Sequence, residues 1–277
     1  MAKWKMVIVW IILILFTLWT VIPFIWAGIV SIKPKARIYD FVWIPYLQFK
    51  PTGKHWYKIL FEEEMPRRAF LNSVVVATCS AALSILLGGL AGYALSRFRF
   101  ERWKNRDIAV WILSQRMFPP VAVAIPFFLF MFKLGLIDKY PALILAHTVF
   151  NLPLAVWILM DFFNELPKEI EEAALVDGAS HFSTFVKIVL PLALPGLVAV
   201  FVLCFLFSWN ELLFAIILTH KEAITLPVLV ASTLAFRQLA WWDLAVYSYL
   251  SVIPPIIIAI LTERWLIRGL TLGAVKG

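Results

Sequence analysis

Apolar residues dominate six long stretches of the chain, 6–30, 70–95, 108–132, 142–163, 195–218 and 244–262, with polar residues gathered between them. About 20 helical residues, rising 1.5 Å each, cross the hydrocarbon core of a bilayer. No stretch alternates with the two-residue period of a barrel strand. The pattern predicts an all-α integral membrane protein, a bundle of six transmembrane helices in one domain spanning 1–277. The polar stretches 31–69, 164–194 and 219–243 are the expected loops, and 264–277 the expected tail. Residues 6–30 follow Lys3 and Lys5, as the apolar core of a signal peptide would. They outrun the roughly 7–15 residues of such a core, so a first membrane helix is expected there.

Composition agrees with this reading. The chain is 62% hydrophobic and 15% charged, where a soluble domain averages about 25% charged. The net charge of +8 would suggest nucleic acid on a soluble protein. On a membrane protein it reads as Lys and Arg at helix ends facing anionic lipid headgroups, and no nucleic-acid motif is present. Cys79 and Cys204 both lie inside apolar stretches, and the histidines are scattered. Neither a disulfide framework nor a metal site is predicted. Lys and Arg divide evenly between the two sides of the predicted bundle, leaving Arg116 inside the third stretch. Charge therefore does not orient the chain, although the dense run 97–106, within "SRFRFERWKNRD", favours a cytoplasmic loop there.

The segment "EEAALVDGASHFSTFVKIVLPLALPG" at 171–196 interrupts this apolar pattern. Pro167 suits the first turn of a helix, where its missing N–H costs nothing. Glu169, Glu171 and Glu172 follow, where the helix dipole favours anions. Ile170, Ala173 and Ala174 form a narrow apolar stripe. Gly178 can end the helix in the left-handed conformation, and Ser180 can cap a second one. Phe182, Phe185, Val186 and Val189 then recur at amphipathic spacing. A helix–turn–helix at the membrane surface is expected. Its alanines allow another surface to approach closely, as in a helix seated in a partner's groove. An interfacial hairpin that binds nothing is the competing reading.

Glu172-Ala173-Ala174, Gly178, Ile188 and Leu190-Pro191 stand at the spacing of the "EAA" loop, and Asp177, Ala179 and Phe185 match its carbohydrate branch. The chain resembles the permease subunits of binding-protein-dependent ABC importers, of the maltose-type sugar family. The resemblance covers nearly the whole length: "LNSVVVA" (71–77), "GYALSRFRF" (92–100), "FPP" (118–120), "LPLAVW" (152–157), "WNELLFA" (209–215), "TLPV" (225–228) and "GLTLGAVKG" (269–277) all look like that family. It implies a cytoplasmic coupling helix between membrane helices 4 and 5, carried by Glu171, Glu172, Ala173, Ala174, Asp177 and Gly178. It implies docking to two ATPase subunits that bind ATP and Mg, pairing with a homologous second permease, and an extracytoplasmic sugar-binding protein. It also implies a cell inner membrane location with both termini cytoplasmic. The tail residues Gly273, Lys276 and Gly277 would reach the ATPase, or form a frayed end. Loop 219–243 would touch the binding protein, or only cap its own bundle.

The chain has no P-loop of its own. Its one Gly-Lys pair, Gly53-Lys54, has Gln48 where the first glycine should stand and His55 where the hydroxyl should. No cofactor and no catalytic site are expected in this chain. Intramembrane polar residues are the candidates for a translocation path: Arg116, His147 and Asn151 one turn apart, and Asn210 with Glu211. Arg116 could snorkel to the membrane surface, Asn210 and Glu211 could bond neighbouring helices, and His147 and Asn151 are the weaker candidates. An ion-coupled secondary transporter acting without an ATPase is the rival function, and Glu211 is the one clear intramembrane acid it could use.

Overall fold

The computed structural model describes residues 3–235 and 241–271. Among them the chain is helical, and the one extended pairing is an isolated bridge between Pro45 and Phe49. In order the helices are α1 (Lys3–Ser31), α2 (Lys54–Tyr57), α3 (Glu64–Arg97), α4 (Asn105–Ser114), α5 (Pro120–Lys133), α6 (Tyr140–Glu165), α7 (Lys168–Val176), α8 (His181–Thr184), α9 (Leu190–Leu192), α10 (Leu194–Trp209), α11 (Leu213–Leu218), α12 (Leu226–Ala235) and α13 (Trp241–Thr271). The tail positions 273, 276 and 277 lie outside the described residues.

Trp4–Ser31, Glu64–Arg97, Tyr140–Glu165 and Trp241–Trp265 are each long and apolar enough to cross a membrane. They contain the expected spans 6–30, 70–95, 142–163 and 244–262. The other two expected spans are broken. Residues 108–132 fall on Asn105–Met117 and Pro120–Lys133, bent by 88°. The cause is local: Phe118, held out of the helical region by the proline after it, is extended (ψ 129°), and Pro120 starts α5 without an N–H. The stretch 195–218 belongs to a second bent pair, His181–Leu192 with Leu194–Trp209 at 76°. It also stops at Trp209 and resumes at Leu213. Here Asn210 Nδ2 donates to Leu206 O at 2.9 Å, while the Glu211 carboxylate accepts from Phe214 N at 3.0 Å and Ala215 N at 3.1 Å. Polar side chains thus serve the backbone groups that a helix end leaves open, and the break is stable. Counting each bent pair as one span gives up to six.

The chain groups into two compact units, 1–70 with 229–253 and 71–228 with 254–277. In the first, α1 is apolar all round and exposed from Trp4 to Trp26, the surface of a helix that faces hydrocarbon. Near its end, a Cβ on Gly28 would lie 2.6 Å from Tyr249 Oη, so only glycine lets that tyrosine close in. Tyr249 Oη donates to Phe24 O at 2.6 Å. The loop after α1 is tied back by Trp56 Nε1 donating to Ser31 Oγ at 3.0 Å, and Ile59, Val246 and Tyr247 form a small core.

In the second unit, α3 lies against α6. A Cβ at Gly88 would meet Ala155 Cβ at 2.8 Å, and one at Gly92 would meet Met160 N at 2.9 Å. Small residues permit this backbone approach, and in lipid such close packing holds helices together. A buried network completes the joint: Ser80 Oγ and Ser208 Oγ are 2.8 Å apart, and Asn151 Nδ2 donates to Ser208 Oγ at 2.9 Å and to Cys204 O at 3.2 Å.

Asp138, between α5 and α6, organises the turn after α11. Its Oδ1 accepts from the backbone N–H groups of His220, Lys221 and Ala223, each at 3.1 Å, and its Oδ2 from Glu222 N at 2.9 Å. Burial alone would raise its carboxyl pKa. The four N–H groups overcome that and hold it at about 2, below the ordinary 3.8. Asp138→Asn should lower unfolding stability at neutral pH by about 2 kcal/mol. A carboxyl with a depressed folded-state pKa contributes fully above its unfolded value and loses that contribution as pH falls through the folded one. The advantage of Asp138 over Asn, followed by thermal unfolding in detergent, should therefore shrink from about pH 4 down toward pH 2. A gap that does not change with pH would contradict this account.

Candidate functional site

The polar segment after α6 folds as its residues dictate. Leu166 is extended (ψ 132°), and Pro167 opens α7. The helix has two faces. Glu172, Ala173, Val176 and Asp177 are exposed, Val176 at 87%. Glu171 is buried, with Ala174 and Leu175 half-buried beside it. Glu171 Oε1 accepts from Arg97 Nε at 2.6 Å, and its Oε2 accepts from Tyr93 Oη at 2.7 Å. Arg97 Nη2 also donates to Leu166 O at 3.2 Å. The Tyr93 ring stands among Phe98, Phe163 and Phe185, which keep water from the pair.

Gly178, at φ +88°, ends α7 in the left-handed region. Gly178 N donates to Leu175 O at 3.1 Å and Ala179 N to Ala174 O at 3.0 Å, which satisfies two of the terminal carbonyls. Ser180 Oγ then accepts from Ser183 N at 3.2 Å and caps α8. A π turn over Phe185–Val189 follows. It changes the expected amphipathic face: Phe185 and Val189 are buried, whereas Phe182 and Val186 are exposed. A wider turn breaks the 3.6-residue period on which that single stripe depended.

A second feature lies at the break between α10 and α11. A cavity of about 220 Å³ is lined by Arg116, Pro120, His147, Phe150, Asn151, Phe207, Ser208, Glu211 and Phe214. His147 Nε2 is 3.2 Å from Glu211 Oε2. The Arg116 guanidinium carbon sits 4.3 Å from the centroid of the Phe207 ring. Two buried nitrogens here, Arg116 Nη1 and His147 Nδ1, have no hydrogen-bond partner among the described residues. Aromatic walls with a few convergent polar groups are the lining of small-molecule sites in general. Among the described residues no group of three His, Cys, Asp or Glu side chains gathers as a metal site.

Residues 84–272 match the family of binding-protein-dependent transport system inner membrane components. The chain belongs to this family. It is 34% identical over 258 residues to the trehalose/maltose transport system permease protein MalG of Thermococcus litoralis, covering 92% of this chain and 91% of that one. It is 34% identical over 262 residues to the trehalose transport system permease protein SugB of Mycobacterium tuberculosis, covering 94% and 93%. Its fold is that of a bacterial ABC transporter involved in the import of the acidic polysaccharide alginate, with a TM-score of 0.79 at 23% identity over 95% of this chain and 97% of that one. This inner membrane component is a multi-pass permease of an ABC importer, and not an enzyme.

In this permease the candidate residues fall into distinct places. Glu172, Ala173, Asp177 and Gly178 share the exposed side of α7 and its turn, and Ala174 is half-buried. Glu171 points the other way, into its own bundle. Arg116, His147, Asn151 and Glu211 line one cavity. Asn210 does not join them, because its amide turns back on α10. Sequence reasoning passed over Tyr93 and Arg97, although their four-residue spacing puts both on one face of a helix. It also passed over the aromatic walls Phe150, Phe207 and Phe214, which look like any other residues of an apolar span. Glu211→Ala should release the first N–H groups of α11 at a cost of about 1 kcal/mol. Amide exchange at Phe214 and Ala215 should then quicken roughly fivefold, and unchanged exchange would show that Glu211 does not hold this helix end.

Proposed function

We propose that this permease is the membrane subunit of an ATP-driven sugar importer and forms half of its translocation path. The observation that carries the reading is its resemblance, over more than nine-tenths of its length, to permeases of trehalose and maltose systems. In this reading it pairs with a second, homologous permease and with two ATPase subunits that bind ATP and Mg. An extracytoplasmic binding protein delivers the sugar. Both termini are cytoplasmic, which puts the 171–191 segment on the ATPase side. The exposed face of α7, with Glu172, Ala173 and Asp177, seats in a cleft of the ATPase. Closure of the ATPase dimer on ATP draws the two coupling helices together and rocks the bundles from inward-open to outward-open. Sugar released by the binding protein then passes the cavity lined by Arg116, His147, Asn151 and Glu211.

The ion-coupled alternative needs a carboxylate free to take up and release its ion. Both Glu211 oxygens are occupied by the N-terminal N–H groups of α11, and one also faces His147, which weighs against it. Co-purification from native membranes in mild detergent tests the proposal. A P-loop ATPase and a second multi-span permease should accompany the tagged chain, and a stable partner-free chain would refute the importer. Within the importer, Glu172→Lys reverses a charge on the exposed face. Gly178→Pro demands φ near −65° where the backbone sits at +88°. Both variants should insert normally and lose uptake of labelled trehalose and maltose, while normal uptake in both would reject the coupling role of α7.

A further inference from the structure

We propose that Tyr93, Glu171 and Arg97 form a latch that makes α7 and α3 move as one body. A displacement imposed on the exposed face of α7 then reaches the interior of the permease instead of being absorbed by the loop. The inference rests on the importer reading, and it assigns Glu171 a positioning role away from the docking surface.

Four observations carry it. First, α7 is short, nine residues, and joined to α6 only through Leu166 and Pro167. Its inward face brings just Ala174 and Leu175, both half-buried, as apolar contact. Such a helix would swing under load unless something else holds it. Second, the holding contact is strong: both carboxylate oxygens of Glu171 are engaged at 2.6 and 2.7 Å by groups from one helix, α3. Third, the ion pair is enclosed, with side-chain exposures of 8% for Arg97 and 10% for Glu171. Opening it would leave one buried charge without its partner, which is far more costly than parting an exposed pair. The same guanidinium donates to Leu166 O, so it clamps the joint between α6 and α7 as well. Fourth, α3 has no slack further in. Gly92 and Gly88 bring its backbone onto α6, and Ser80, farther along α3, bonds Ser208 of α10 in the network that includes Asn151. Ser208 and Asn151 both line the cavity. A continuous set of packed groups therefore leads from α7 to the cavity wall, and rigid elements packed in this way can carry motion between them.

The test uses the importer purified from native membranes with its ATPases, reconstituted in lipid. ATP hydrolysis is measured with and without the binding protein that co-purifies, carrying its own sugar. Arg97→Ala and Glu171→Gln should retain the ATPases, and stimulation by the binding protein should fall about fivefold or more. Tyr93→Phe removes a single hydrogen bond at nearly constant volume and should give a smaller loss. The exchange pair Arg97→Glu with Glu171→Arg should recover part of the stimulation, which general damage would not permit. Wild-type stimulation in Arg97→Ala and Glu171→Gln would overturn the latch. So would failure of Arg97→Ala to assemble while Tyr93→Phe and Glu171→Gln assemble with full stimulation, because the cluster would then serve folding alone. If no ATPase accompanies the unaltered chain, the importer reading falls, and the latch with it.

Discussion

Hydrocarbon supplies no hydrogen bonds, so each polar group inside a membrane protein must find its partner within protein. Much of this permease follows from that constraint. Ser80, Asn151 and Ser208 satisfy one another where α3, α6 and α10 meet. Glu211 turns its carboxylate to the N-terminus of α11, and Asn210 turns its amide to the C-terminal turn of α10. Arg116 lays its guanidinium over Phe207. These contacts fix where helices cross and where they stop. The glycines of α3 work in the same direction, because backbones must come close before short side chains can reach across.

The constraint also explains why the cavity lies where it does. A helix interrupted at Asn210–Leu212 frees backbone groups that Asn210 and Glu211 must serve. The cost of the break thus brings the Glu211 carboxylate to the cavity, whose lining also takes in Arg116 and Pro120 on either side of the 88° bend between α4 and α5. Irregular backbone in a bilayer is stable only where it is buried in protein or borders a cavity. The broken helices and the polar lining are one solution to one problem.

Much of this was legible in the sequence, because long apolar runs report burial in lipid directly. Gly178 announced the turn after α7, and Ser180 announced the cap of α8, since each does locally what its chemistry favours. The break in the fifth apolar stretch was hidden because the residues on both sides are equally apolar, and only Asn210-Glu211 marked it, whereas Pro119-Pro120 make a kink in the third legible. The direction of Glu171 was hidden for another reason. Neighbouring glutamates in a helix differ by about 100° of rotation, and which one meets Arg97 depends on where α3 ends, a long-range fact. Asp138 is a similar case: four N–H groups more than eighty residues away decide its role, and its own neighbours say nothing of it.

The self-sufficiency of α1 bears on how the chain is made. Its two central hydroxyls, Thr17 and Thr20, bond Leu13 O and Phe16 O within the helix, so over its first two-thirds it asks nothing of a neighbour. The insertion machinery can release such a segment sideways into lipid as soon as it emerges. The bent pair of α4 and α5 cannot be treated in this way. It carries Arg116, whose exposure to lipid would cost about 2.5 kcal/mol or more, and Phe207, which shields the guanidinium, is synthesised some ninety residues later. The shield over the Arg116 guanidinium is therefore complete only once Phe207 has been made and has packed against it.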